Sequence, residues 1–218
     1  MMSYDISTRV SLRWLPDPPS EPSDVLVYNV GHYFLDLRVL KADRSIQWAM
    51  AGEKQIISTE PLKCRWLKII DSFGASEPDE ASFTTLPNGD ELETGSMPCP
   101  ERGGAATKYE EVWRNLNPRE GVEHAWILQS VDGNIFLGRI GGGYMALREG
   151  KREGFGARRE EWDIANGWNV KYEIGSVNGV PSFAAHGKIM FDKEESWKVG
   201  NIITISGNEY IVRAWEDM

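Results

Sequence analysis

The chain has 218 residues, 41% of them hydrophobic, enough to bury one large core or two small ones. Its 33 Asp and Glu against 24 Lys and Arg give a formal net charge of -9, which opposes a polyanion over the general surface and excludes nucleic acid as the expected partner. Two cysteines, Cys64 and Cys99, are too few for a disulfide scaffold, no apolar run reaches the length of a membrane span, and the start Met-Met-Ser-Tyr-Asp lacks the pattern of a secretion signal, so a cytoplasmic protein with reduced, unjoined thiols is expected.

Period-two alternation outweighs period 3.6 almost everywhere, and short runs of Val, Ile, Tyr, Phe and Trp are separated by Gly, Pro, Asn and Asp. From the N-terminus, strands are predicted over 9–15, 25–30, 33–40, 45–52, 62–71, 81–86 and 91–97. Between the first two, Trp14-Leu-Pro-Asp-Pro-Pro-Ser-Glu-Pro22 is a loop, because its prolines remove ladder donors. A short helix is predicted from Tyr109 to Asn115. The stretch Pro98 to Gly104, followed by Asn117-Pro118, reads as a linker region, with the boundary at Glu120 separating units 1–119 and 120–218. Further strands follow over 125–131, 135–140, 145–149, 160–164, 168–176, 202–206 and 209–215. Among them, Gly141-Gly-Gly143 is expected to be a hairpin connection, since no Lys-Ser/Thr or helix start follows it. The charges around Lys151-Arg152 and Arg158-Arg159, interrupted by Glu149, Glu153, Glu160 and Glu161, are expected to form a solvated loop.

Two segments read alike: Gly31-His-Tyr-Phe-Leu-Asp-Leu-Arg38 and Gly133-Asn-Ile-Phe-Leu-Gly-Arg139 each place a turn glycine before an aromatic and aliphatic strand that ends in arginine. The repeat suggests two related β units in tandem. A β-barrel encloses a pocket by closing on itself, so the expected task is to hold something small and apolar.

The ordered set Gly31-His-Tyr, Leu37-Arg38, Ile46-Gln-Trp-Ala-Met-Ala-Gly52, Trp66 to Asp71-Ser72, Glu93-Thr-Gly95, Tyr109-Glu-Glu-Val-Trp113 and Asn117-Pro118 resembles the fungal Hri-type family. That family is named for a yeast protein that interacts with the casein kinase Hrr. Asp132-Gly133, Gly138-Arg139, Tyr172 and the hairpin from Val199-Gly200 to Trp215 extend the resemblance over nearly the whole chain. It implies a mostly β protein of two tandem lipocalin-like antiparallel β-barrel domains with little helix. The family has no generally assigned chemistry, so fold transfers better than activity.

His32, His124 and His186 are isolated from each other and from the cysteines, so no metal is expected. No cofactor motif, nucleophile elbow or activated cysteine is present either. The candidates are polar groups on half-buried strands. In Tyr33-Phe-Leu-Asp-Leu-Arg38, alternation puts Phe34, Asp36 and Arg38 on one face and Tyr33, Leu35 and Leu37 on the other. If the first face points into a barrel, Asp36 and Arg38 must pair or serve a ligand, an ordinary structural ion pair being the plainer account. Trp48, Trp66 and Trp113 fall near carboxyl groups, and an apolar aromatic wall keeps a neighbouring carboxyl protonated by desolvation. The candidate acids and their partners are Asp36, Arg38, Asp71, Glu93 and Glu111, and the candidate ligand-binding residues are Tyr33, Phe34, Trp48, Trp66 and Trp113. The expected function is a cofactor-independent cyclase or isomerase of fungal secondary metabolism acting on an apolar aromatic molecule, such as a prenylated polyketide whose phenol closes onto an alkene. The alternatives are a non-catalytic accessory protein with a kinase partner and a plain small-molecule carrier; a homodimer stays open.

Overall fold

Runs of β-branched and aromatic residues punctuated by turn glycines make this chain strand after strand. The computed structural model describes residues 4–74, 77–99, 102–150, 152–186, 191 and 193–218. Eight antiparallel strands close into a barrel: β1 (Tyr4–Trp14), β2 (Ser23–Val30), β3 (Tyr33–Leu40), β4 (Ile46–Thr59), β5 (Leu62–Asp71), β6 (Asp79–Thr85), β7 (Glu91–Cys99) and β8 (Ala105–Leu116), which returns to pair with β1. Seven more form a second sheet: β9 (His124–Ser130), β10 (Ile135–Ile140), β11 (Gly143–Gly150), β12 (Gly154–Asp163), β13 (Gly167–Gly175), β14 (Ile202–Ile205) and β15 (Asn208–Asp217). Its order is β13-β12-β11-β10-β9-β15-β14. The described helix is confined to short pieces, notably α1 (Phe183–His186) and a 3-10 turn at Glu194–Ser196, and no described helix is long and apolar enough to cross a membrane.

The mostly β class is what the alternation predicted, and each of the fourteen predicted strands overlaps an observed one. β8 is the exception: it occupies the segment predicted as the helix Tyr109–Asn115. Tyr109, Glu111 and Trp113 are buried while Glu110, Val112 and Arg114 turn outward, and the strand pairs with β1 on one side and β7 on the other. The misreading has a physical cause. A spacing of four, as from Tyr109 to Trp113, places side chains on one face in a strand and in a helix alike.

The Pro98 to Gly104 stretch is not a linker. Cys99 pairs with Ala105 and Pro98 with Ala106, so it belongs to the β7–β8 hairpin of the barrel, with residues 100 and 101 outside the described ones. The chain passes from barrel to second sheet between Leu116 and His124.

Among the described residues the second sheet is an open one of seven strands, and the expected closure into a second barrel is not seen. From the segment after β13, Phe183, Phe191 and Trp197 pack against Trp126, Leu128 and Tyr144 on the sheet's outer face, so rings fill the space that closing strands would enclose. The inner face packs on the outside of the barrel, where Ile127, Phe136, Met145 and Leu147 meet Tyr28, Leu35 and Leu37. Every residue of β9 and β10 is therefore buried, as in a strand covered on both faces, whereas the edge strand β13 is mostly exposed. Gly138 allows the close approach, since a Cβ there would sit 3.3 Å from Leu35.

The basic segment is also corrected. Lys151 lies outside the described residues and Arg152 is an exposed turn residue, as expected, but Arg158 and Arg159 stand on β12 and are not in a solvated loop. Arg158 donates to Glu173 and to the Val180 carbonyl, and Arg159 reaches Asp24 of the barrel at 3.1 Å while Tyr172 donates to the same carboxylate at 2.8 Å. These polar ties fix the second sheet against the barrel.

Candidate functional site

Alternation sends the two faces of β3 into different environments. Leu35 and Leu37 pack toward the second sheet, while Phe34, Asp36 and Arg38 face the barrel lumen, a cavity of about 530 Å³. Phe34, Trp48, Trp66, Phe83 and Trp113 supply aromatic wall, with Trp66 and Phe83 in tilted contact at 5.9 Å between centroids. Cys64 also faces this space. It and Cys99 are free and buried.

An ion-pair network spans the lumen. Arg38 grips one oxygen of Asp36 with Nε and Nη2 at 3.0 and 2.8 Å and reaches Glu111 of β8 with Nη1 at 3.1 Å. Arg9 of β1 donates to the same Glu111 oxygen at 2.5 Å and to Glu21 at 2.7 Å. The Arg38 guanidinium also lies 4.8 Å from the Trp48 ring centroid and 5.7 Å from that of Trp113. Burial works against this charge, but Asp36 and Glu111 beside it hold the arginine's pKa above its ordinary value. Asp36 in turn is raised by burial, which outweighs its arginine.

Glu93 is the unpaired acid of the set. It stands on β7 directly opposite Glu111 of β8 and faces the same lumen, yet among the described residues no arginine pairs with it. Its partner is Tyr109, whose hydroxyl donates to Oε1 at 2.7 Å. Burial first, and then the charge of Glu111, push Glu93 up to about 8, so that at neutral pH it is a carboxylic acid. Gly95 makes room for this arrangement, because a Cβ there would lie 2.6 Å from the Tyr109 hydroxyl.

Of the residues singled out from sequence, Asp36, Arg38, Glu93 and Glu111 meet in the lumen together with Phe34, Trp48, Trp66 and Trp113. Two do not. Asp71 is buried beside the wall, where it accepts from Trp48 Nε1 at 3.2 Å and from the backbone of Phe73 at 2.6 Å, so it positions the indole and does not face the cavity. Tyr33 is a correction: it lies on the opposite face of β3, donating to Glu53 at 3.3 Å with Arg213 over its ring, because odd and even residues of a strand cannot share a face. Sequence reasoning missed Tyr109 and Arg9. Tyr109 was hidden by the helix assignment, although the alternation of Tyr109, Glu111 and Trp113 carries the signal. Arg9 lies next to a register shift in β1 between Arg9 and Ser11, which simple alternation does not foresee.

The repeated arginine has a counterpart in the second sheet. Arg139 pairs with buried Glu194 and lies 4.6 Å from the Phe183 centroid and 5.3 Å from that of Trp168. There the chain's own rings occupy the place that is cavity in the barrel. Among the described residues, no group of three or more His, Cys, Asp or Glu is arranged to hold a metal ion.

A family model described as Protein HRI1 matches residues 5–215. No curated protein matches. Among solved structures the chain is similar to the crystal structure of uncharacterized protein YLR301w from Saccharomyces cerevisiae, with 16% identity and a TM-score of 0.77 over 98% of this chain and 99% of that one. At that identity the likeness concerns the fold.

Proposed function

The chain belongs to the HRI1 family, and from that premise and the geometry of the lumen we propose that its barrel is a lipocalin-like container for an aromatic small molecule, on which Glu93 acts as a cofactor-independent acid catalyst of ring closure or isomerisation. The observation that carries the reading is a buried carboxylic acid, raised to about 8, facing a cavity walled by tryptophans. A volume of about 530 Å³ falls within the range of roughly 300 to 1,000 Å³ typical of small-molecule sites.

The chemistry needs no group beyond the chain's own. Glu93 gives its proton to an alkene carbon, the phenol oxygen attacks the resulting cation and forms the new C–O bond, and the phenol proton returns to the Glu93 carboxylate. Tyr109, already bonded to Glu93 at 2.7 Å, orients the carboxyl. The aromatic faces of the wall favour the transient cation.

The test uses an ortho-prenylated phenol as probe. The parent should convert it to the cyclic ether, and Glu93→Gln should lose about a hundredfold or more in rate while still quenching tryptophan fluorescence on binding. Equal turnover by parent and variant rules out Glu93 as the acid. If no aromatic probe quenches the parent, the container reading fails and the accessory-protein reading takes its place.

A further inference from the structure

Asp36 and Asn29 each keep one side-chain oxygen buried without a hydrogen-bond partner among the described residues, and both line the barrel cavity. We propose that the ligand is an aromatic molecule that presents hydroxyl or amino donors to Asp36 and Asn29 and carries no carboxylate. This deepens the container reading and rests on it.

Asp36 is 3% exposed and Asn29 7%. Arg38 binds only Oδ2 of Asp36, leaving Oδ1 open, while the Asn29 amide donates to Asp5 at 2.9 Å and leaves its own oxygen open. A buried acceptor without a donor is costly, so a filled site is one that supplies the donors. The two acceptors share a wall. Asn29 pairs with Phe34 across β2 and β3, and Asp36 lies two residues further along β3, a diagonal of roughly 7 to 8 Å between Cα atoms and somewhat less between Cβ atoms. An apolar ligand leaves both oxygens unmatched, which is how a polar site rejects an analogue lacking the donor.

The charges of the lumen exclude the opposite class. Besides the protonated Glu93, five carboxyl side chains line it against two cationic ones, Arg38 and Lys54. The donors of Arg38 are already turned to Asp36 and Glu111. A ligand carboxylate therefore meets like charge and no open guanidinium.

Tryptophan quenching of the full chain, titrated with a dihydroxyanthraquinone, its dimethyl ether and an anthraquinone carboxylate, tests the proposal. The dihydroxy compound should bind at least about tenfold more tightly than the ether, and the carboxylate should give no saturable quenching. Asp36→Asn turns an amide donor toward the ligand and should reduce the hydroxyl preference to within about twofold. Asn29→Val leaves the arginine network in place and should lower the same preference, so a folding failure of the Asp36 variant does not decide the outcome. Equal binding of dihydroxy compound and ether, a preference unchanged in both variants, or tightest binding of the carboxylate overturns the donor rule while the container stands. Quenching by none of the three sinks the container itself, and the donor rule with it.

Discussion

Glu93 and Glu111 face each other directly across β7 and β8, and among the described residues only Glu111 has arginine partners. Two carboxyl groups in one buried space cannot both be charged cheaply, so the pair separates into an ion-paired member and an acid held protonated by burial and by its neighbour.

Tyr109 moderates that acid. Its hydroxyl bonds to Glu93 and lowers the pKa that burial has raised, so Tyr109→Phe should move the carboxyl's titration upward from about 8. The C=O band of a protonated carboxyl, assigned by its absence in Glu93→Gln, follows this by infrared titration. A midpoint that stays put or falls contradicts the assigned bond.

Gly95→Ala should act through the same contact. A methyl group 2.6 Å from the Tyr109 hydroxyl displaces the ring from Glu93. The infrared midpoint should again move upward, and an unchanged midpoint with an intact fold shows that the ring has room elsewhere.

Stability should fall between about pH 4.5 and about pH 8 through Glu93. Its pKa in the folded protein, about 8, exceeds the ordinary 4.5, so the folded state holds the proton more tightly. That contribution is complete below the lower value and is lost as pH rises through the upper one. Thermal midpoints of the parent should therefore decline across this window more steeply than those of Glu93→Gln, and parallel curves refute the assignment.

Arg38→Met should destabilise the barrel by about 3 to 5 kcal/mol, because Asp36 and Glu111 lose a buried cationic partner. Arg38→Lys should not restore stability, since a single ammonium does not reproduce the fork that bridges two carboxylates. Denaturant unfolding of the three proteins measures the effect. A loss below about 1 kcal/mol for methionine indicates that the network is dispensable to the fold.

Phe183→Ala should cost about 3 to 5 kcal/mol, as it removes a ring stacked on Phe191 at 4.0 Å and on Trp168 at 4.4 Å. The milder Phe183→Leu should leave quenching by the dihydroxyanthraquinone unchanged, because this plug fills the second sheet and not the barrel. A weakened probe affinity in the leucine variant shows that the two units are coupled.

The sequence by itself determined the strand-rich class, the bounds of β3 and β5, and the sorting of Asp36 and Arg38 to one face and Leu35 and Leu37 to the other. These follow from a period of two, which each residue carries locally in its backbone geometry and its neighbours. Both faces of β3 are buried, however, so alternation alone does not say which faces the lumen and which the second sheet. Spacing of four left β8 ambiguous between strand and helix, and β8 holds Tyr109 and Glu111. The opposition of Glu93 and Glu111, the reach of Arg9 and Arg38 to one carboxylate, and the filling of the second sheet by Phe183 depend on register and on pairing between residues far apart in the chain. Tertiary structure decided these, because a strand's local pattern fixes the direction of its side chains but not the partner strand that stands opposite them.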